Sequence, residues 1–205
     1  MTRKILAIGA HPDDIEIGAA GFIAKALAEG ASVHYIILSK CETNTGLAKA
    51  DLVSEAKAAA SALGVRNIEF CNFENTKFPE YSREIRDALE KARDKLKPDI
   101  VLCPSPQDPH QDHATAGAEA LRAFRGRETV LNFEIIRKGV PLAEPNAFVD
   151  ITDFLGKKLD AIKCYKSQFQ RSYFSDESYK ALATVRGAQA GCKYAEAFRF
   201  VRGFL

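Results

Sequence analysis

KILAIGAHPDDIEIG, residues 4–18, is the stretch on which the fold turns. It begins with a compact apolar run, residues 4–9, of the kind that makes a buried central strand. A helical pattern takes over at Asp14 and runs to about Ala28, with Ile15, Ala19, Phe22, Ile23 and Ala26 on one face. Between the two stands AHPDD, Ala10 to Asp14. A strand that ends directly in polar residues opening a helix is the first half of a βαβ unit.

Outward from this stretch the same alternation repeats. SVHYIILS (32–39) reads as a second strand, a helix near 51–63 stops at Gly64, and a third strand covers about 68–73. Ser82 caps a helix carrying Ile85, Ala88, Leu89, Ala92 and Leu96, which must end before Pro98, and IVLC (100–103) is a fourth strand. A helix over roughly 113–124, a fifth strand TVLNFEII (129–136), a Pro-containing loop and a helix opened by Thr152 with Leu155, Leu159 and Ile162 follow. After about residue 167 the periodicity weakens, and the expectation there is loop plus a short helix closing over the site. The pattern predicts an α/β fold: a Rossmann-like, three-layer, doubly wound sheet, mostly parallel, of strand order 3-2-1-4-5, in one domain spanning 1–205.

The bulk numbers exclude several classes. With 46% hydrophobic and 27% charged residues the chain has none of the signature of disorder. A net charge of +2 over 29 basic and 27 acidic residues gives no basic stripe, so nucleic acid is not the expected partner. The apolar run of MTRKILAIGA meets His11 and Pro12 too soon for a signal peptide or a membrane span, and a cytoplasmic location is expected. Five widely spaced cysteines with no CxxC pair read as buried free thiols rather than as disulfides or a thiolate metal site.

The chemistry concentrates in two loops. AHPDD follows the first strand and PHQDH (109–113) follows the fourth, and in the expected sheet these two strands are neighbours whose carboxyl ends border the ligand crevice. Three of the four histidines, His11, His110 and His113, lie in them. His11, Asp14 and His113 supply two imidazoles and a carboxylate, the set a catalytic zinc ion uses while keeping one position open, and one that also suits ferrous iron. Asp13 is then left beside the metal as a general base for water. His110, as an imidazolium, would stabilise an oxyanion or protonate a departing amine, and Asp112 would hold an imidazole in orientation.

AHPDD and HQDH, in this order and at these strand ends, resemble the PIG-L/LmbE family of zinc-dependent N-deacetylases. HPDDIEIGAAG, SKCETNTG, YKSQF and KYAEAF extend the likeness over most of the chain. The resemblance implies zinc on His11, Asp14 and His113, Asp13 as base, His110 as acid or oxyanion stabiliser, and a homo-oligomer. It implies removal of the acetyl group from an N-acetylglucosamine-type small-molecule conjugate, releasing acetate and a free amine. Ile15 followed by Glu16 places the chain nearest the HPDDVEIG branch, which includes deacetylases of glucosaminyl-malate type. Residues 74–81 (ENTKFPEY) lack the acidic, glycine-containing turn expected after the third strand.

Bland readings stand beside these. Asp13 and Asp14 are equally the residues that cap helices. His34 sits within a strand and is expected to be structural; Glu42 is a loop acid that could face substrate; Arg186 and Lys193 are candidates to contact an anionic substituent on the substrate, with solvated surface as the expected reading. The alternatives to a deacetylase are a hydrolase of another N-acyl amide and a non-catalytic sugar- or nucleotide-binding module.

Overall fold

The structure, a computed structural model, describes residues 2–41 and 51–203. Its strands are β1 (Lys4–Gly9), β2 (Ser32–Ile37), β3 (Asn67–Phe70), β4 (Ile100–Pro104), β5 (Thr129–Phe133), β6 (Ala147–Asp150) and β7 (Ala195–Arg202). Its helices are α1 (Asp14–Ala28), α2 (Leu52–Leu63), α3 (Ser82–Leu96), α4 (Gln111–Ala123), α5 (Leu155–Ile162) and α6 (Asp176–Ala190). All seven strands form one sheet of order β3-β2-β1-β4-β5-β7-β6. The first five pair in parallel, in the expected 3-2-1-4-5 order, and β7 pairs antiparallel with both β5 and β6.

Period-two alternation in β1 builds both faces of the sheet. Ile5 and Ala7 join Ile15, Ile23, Tyr35 and Leu131 in a core beneath α1, α2 and α5. Leu6 and Ile8 point the other way, into a core with Ile85, Leu89, Val101 and Val130 beneath α3 and α4. Burial of each such aliphatic side chain contributes about 1.5–3 kcal/mol. Helix α1 lies close against the sheet because Gly18 has no side chain: a Cβ there would stand 2.3 Å from Cδ2 of Phe133. The chain crosses faces between β3 and β4, so the carboxyl ends of β1 and β4 open onto a crevice.

The last third departs from expectation. The segment after residue 167, expected to be loop and a short helix, contains the 15-residue α6 and the eight-residue β7, and the loop before α5 contains β6. Strand β7 hides from pattern reading because Ala195, Glu196, Ala197 and Phe198 are all buried, so nothing alternates. Helix α6 did carry a signal: Ser175 accepts from the Ser178 amide, Asp176 and Glu177 fill the first turn, and Gly191 closes the far end at φ 75°.

Buried ion pairs fasten this part to the rest. Lys158 on α5 donates to the Ile17 carbonyl (2.6 Å) and to Glu196 (2.7 Å), and Glu196 accepts from the Gly21 and Phe22 amides of α1. Arg186, expected at the surface, is 4% exposed and grips Glu134 through two bonds of 2.8 and 2.6 Å. Lys193 is exposed, and His34 faces Glu69 across β2 and β3 at 3.2 Å. The five cysteines are free, as expected, but only Cys41 and Cys103 are buried. Among the described residues no helix is long and apolar enough to cross a membrane.

Candidate metal centre and its cavity

His11 comes from the turn between β1 and α1, Asp14 is the first residue of α1, and His113 lies in the first turn of α4. His11 Nδ1 stands 3.1 Å from His113 Nε2 and 3.7 Å from Asp14 Oδ2, and His113 Nε2 is 3.2 Å from Asp14 Oδ1. Donors about 2.0–2.1 Å from a tetrahedral zinc ion lie about 3.3 Å from one another, so the two imidazole nitrogens and the Asp14 carboxylate stand close enough to share one cation. The electrostatics agree. Burial pushes the Asp14 carboxyl up, but the His113 and His11 imidazoles outweigh it and hold the group below its usual range. Burial pushes His113 down, but Asp14 and Asp108 raise it to about 9. The donor set demands positive charge.

Each imidazole is held from behind by a carboxylate, the usual support for a ligating histidine. His11 Nε2 meets Asp112 Oδ2 at 2.9 Å, and the same carboxylate accepts from the Thr76 and Phe78 amides at 2.6 and 3.1 Å. Asp112 thereby pins the 74–81 segment, which lacks the expected glycine turn, against the site. His113 Nδ1 meets Asp108 Oδ2 at 3.2 Å, and Asp108 is paired with Arg137. Asp108 and Arg137 were absent from the sequence reading, although Asp108 lies in the same SPQDPHQDH string. A second cluster, His11, His110 and Asp112, is a poorer cradle: Asp112 already accepts two amides, and His110 Nδ1 accepts from the Asp112 amide at 3.2 Å.

Asp13 occupies the N-cap position of α1, yet its side chain makes no capping bond, so capping does not explain it. Its backbone sits at φ 95°, a region that costs a non-glycine residue about 1–3 kcal/mol and that clusters at functional sites. Burial, then the neighbouring Asp14 charge, raises its carboxyl well above the ordinary value, which gives it appetite for a proton. His110 differs from the sequence expectation. Burial, then the charges of His113 and His11, pushes it down to about 4, and because its Nδ1 accepts the Asp112 amide the proton sits on Nε2. These surroundings favour the neutral imidazole over the imidazolium.

These groups open into a cavity of about 380 Å³ whose wall includes Asp13, His110, Asn75, Arg137, Gln168 and Arg171. Gln168, Arg171 and Tyr173, from the segment between α5 and α6, were not singled out from sequence; only the folded tail brings them here. Glu42 lies outside the described residues.

By construction this is a Rossmann-like protein with two imidazoles and a carboxylate converging at the switch point of its sheet. The chain belongs to the PIG-L family, described as GlcNAc-PI de-N-acetylase, whose pattern matches residues 6–124. It is similar to diacetylchitobiose deacetylase of Thermococcus kodakarensis, 33% identical over 98% of this chain and 84% of that one. A solved structure of N,N'-diacetylchitobiose deacetylase from Pyrococcus horikoshii superposes with a TM-score of 0.81 at 28% identity, covering 97% of this chain and 84% of that one. A 4-oxalmesaconate hydratase of Pseudomonas putida is 28% identical over 92% of this chain and 81% of its own.

Proposed function

We propose that the protein is a divalent-metal-dependent N-deacetylase that hydrolyses the acetamide of an N-acetylglucosamine-type sugar or conjugate. The observation that carries the proposal is the spacing of His11 Nδ1, Asp14 and His113 Nε2, with a strained, proton-seeking Asp13 beside them. His11, Asp14 and His113 would hold the ion, zinc by donor set and ferrous iron as the alternative. When bound, such an ion acts as a Lewis acid that acidifies water and polarises a carbonyl.

The chain's own residues account for the proton traffic. Asp13 takes a proton from the water that attacks the acetyl carbonyl carbon. His110, protonated on Nε2, donates to the oxygen on which charge develops. Collapse breaks the C–N bond, the proton held by Asp13 passes to the nitrogen, and acetate and a free amine leave. Asp108 and Asp112 keep both imidazoles in the tautomer this arrangement needs.

The test is a paired assay of acetate and primary amine on N-acetylglucosamine, diacetylchitobiose and N-acetyl amino acids. The expected result is one acetate per amine from the amino sugars, abolished by a chelator. Cleavage of N-acetyl amino acids alone would move the assignment to another amide, and chelator-insensitive binding without acetate would mark a binding module. The hydratase relative supports a second reading, addition of water to an unsaturated acid, which loss of the ultraviolet absorbance of 4-oxalmesaconate on incubation with the protein would detect.

A further inference from the structure

We propose that Gln168, Arg171 and Tyr173 form a subsite for an anionic substituent, carboxylate or phosphate, on the amino sugar. Two arginines line the cavity, and one of them, Arg137, is committed to Asp108. Arg171 lines the cavity and its Nη1 donates to the neutral hydroxyl of Tyr173 at 3.0 Å. A guanidinium whose neighbour is a hydroxyl presents its charge to what enters the cavity, and it is the side chain best suited to grip a carboxylate or phosphate through two bonds.

Gln168 supplies an independent observation. It is 1% exposed, it lines the same cavity, and among the described residues its Oε1 has no hydrogen-bond partner. Ser167 Oγ donates to Glu55 Oε2 at 2.6 Å, so that hydroxyl can only accept from Gln168 Nε2 at 2.9 Å. The amide is thereby turned with its nitrogen on Ser167 and its oxygen left as an acceptor. A buried acceptor without a protein donor on a cavity wall is a place where a ligand can supply one, here a sugar hydroxyl.

The wall is built before substrate arrives. Tyr165 donates to Glu16 at 2.8 Å, the Ser167 amide and hydroxyl both go to Glu55, and Phe174 is fully buried. Tyr165 thus ties the segment to the helix turn that carries Asp13 and Asp14. The Arg171 charge also reaches Asp13 and draws its carboxyl downward against burial and Asp14, which push it up. Sustaining the base is therefore the rival role for this arginine.

The inference rests on the deacetylase reading for the reaction it serves, and it is tested by two readouts. Kinetics with N-acetylglucosamine (neutral), N-acetylglucosamine 1-phosphate (phosphate) and N-acetylmuramic acid (carboxylate) are compared for the protein and for Arg171→Gln and Arg171→Lys. Calorimetric titration of the same three compounds reads binding directly. The expected result is a preference for one or both anions of about tenfold or more, which Arg171→Gln removes mainly through KM and Arg171→Lys partly restores. Any pull of a bound ion on the anion is common to all the variants, so the difference between them isolates Arg171. Equal use and equal binding of neutral and anionic sugars overturns the subsite. So does a fall in kcat of equal size on all three in Arg171→Gln, which would make Arg171 a support for Asp13. Anion-selective binding that depends on Arg171, with no acetate released, would keep the subsite and remove the deacetylase reading.

Discussion

The chain from β1 to β5 and the chain from β6 to β7 build different parts of one pocket. The first is a parallel sheet with alternating helices, and each residue of the donor set, together with Asp13, Asp108, His110 and Asp112, follows β1 or β4. The second is antiparallel at the sheet edge, supplies no donor atom to the three-residue cluster, and contributes a cavity wall and buried ion pairs. The difference teaches a division of labour. The topology of the parallel part places the proposed reacting groups, since two strand ends at a switch point can bring distant loops together. The later part braces α1 and shapes what reaches those groups.

The division can be broken or sharpened by substitution on either side. Asp13→Asn should lower kcat about 10³-fold or more while bound metal per chain stays unchanged, read by steady-state kinetics and elemental analysis. A wild-type rate would remove Asp13 as base. Lys158→Met leaves the Glu196 carboxylate buried among α1 amides without its cation, and urea unfolding should show a loss of about 3–5 kcal/mol. If stability hardly changes, the brace between the two parts is not this pair.

Smaller effects are expected behind the ligands. Asp108→Asn should weaken metal affinity about 10–100-fold in competition with a chelator, because His113 loses the carboxylate that orients it. Unchanged affinity would assign Asp108 to the loop alone. On α4, burial pushes the Glu119 carboxyl up, but bonds from Arg86, Ser82 and Arg122 hold it below its ordinary value of 4.5. A depressed carboxyl contributes stability above that value and loses it as pH falls through the lower, folded one. Glu119→Gln should therefore be less stable than wild type by about 2 kcal/mol at neutral pH, with the gap closing in acid. A gap independent of pH would exclude the carboxylate charge as its source.

The same division governs how much could be read from the sequence. HPDD and HQDH are contiguous strings at the ends of strongly patterned strands, so the meeting of His11, Asp14 and His113 followed from topology. Asp112 was seen as a support for an imidazole, but not that its carboxylate also holds the Thr76 and Phe78 amides, because those bonds cross to a segment of no regular period. The sequence could not register what bears on the charge state of His110, because its tautomer depends on one backbone amide and its proton affinity on burial and two neighbouring rings. Glu196 sits in a strand whose core face includes an acid, and Arg186 in a helix whose buried side includes a cation. Pairings of that kind satisfy charge only after folding, and hydrophobic patterning does not register them.

The central claim is that two distant loops close on one divalent cation. Elemental analysis of the purified protein, alongside His113→Ala and Asp13→Asn, tests it most directly. The account predicts about one zinc or iron per chain in the protein and in Asp13→Asn, and none in His113→Ala. A protein that takes up no divalent ion even from excess, or a His113→Ala variant that keeps its full complement, would contradict it.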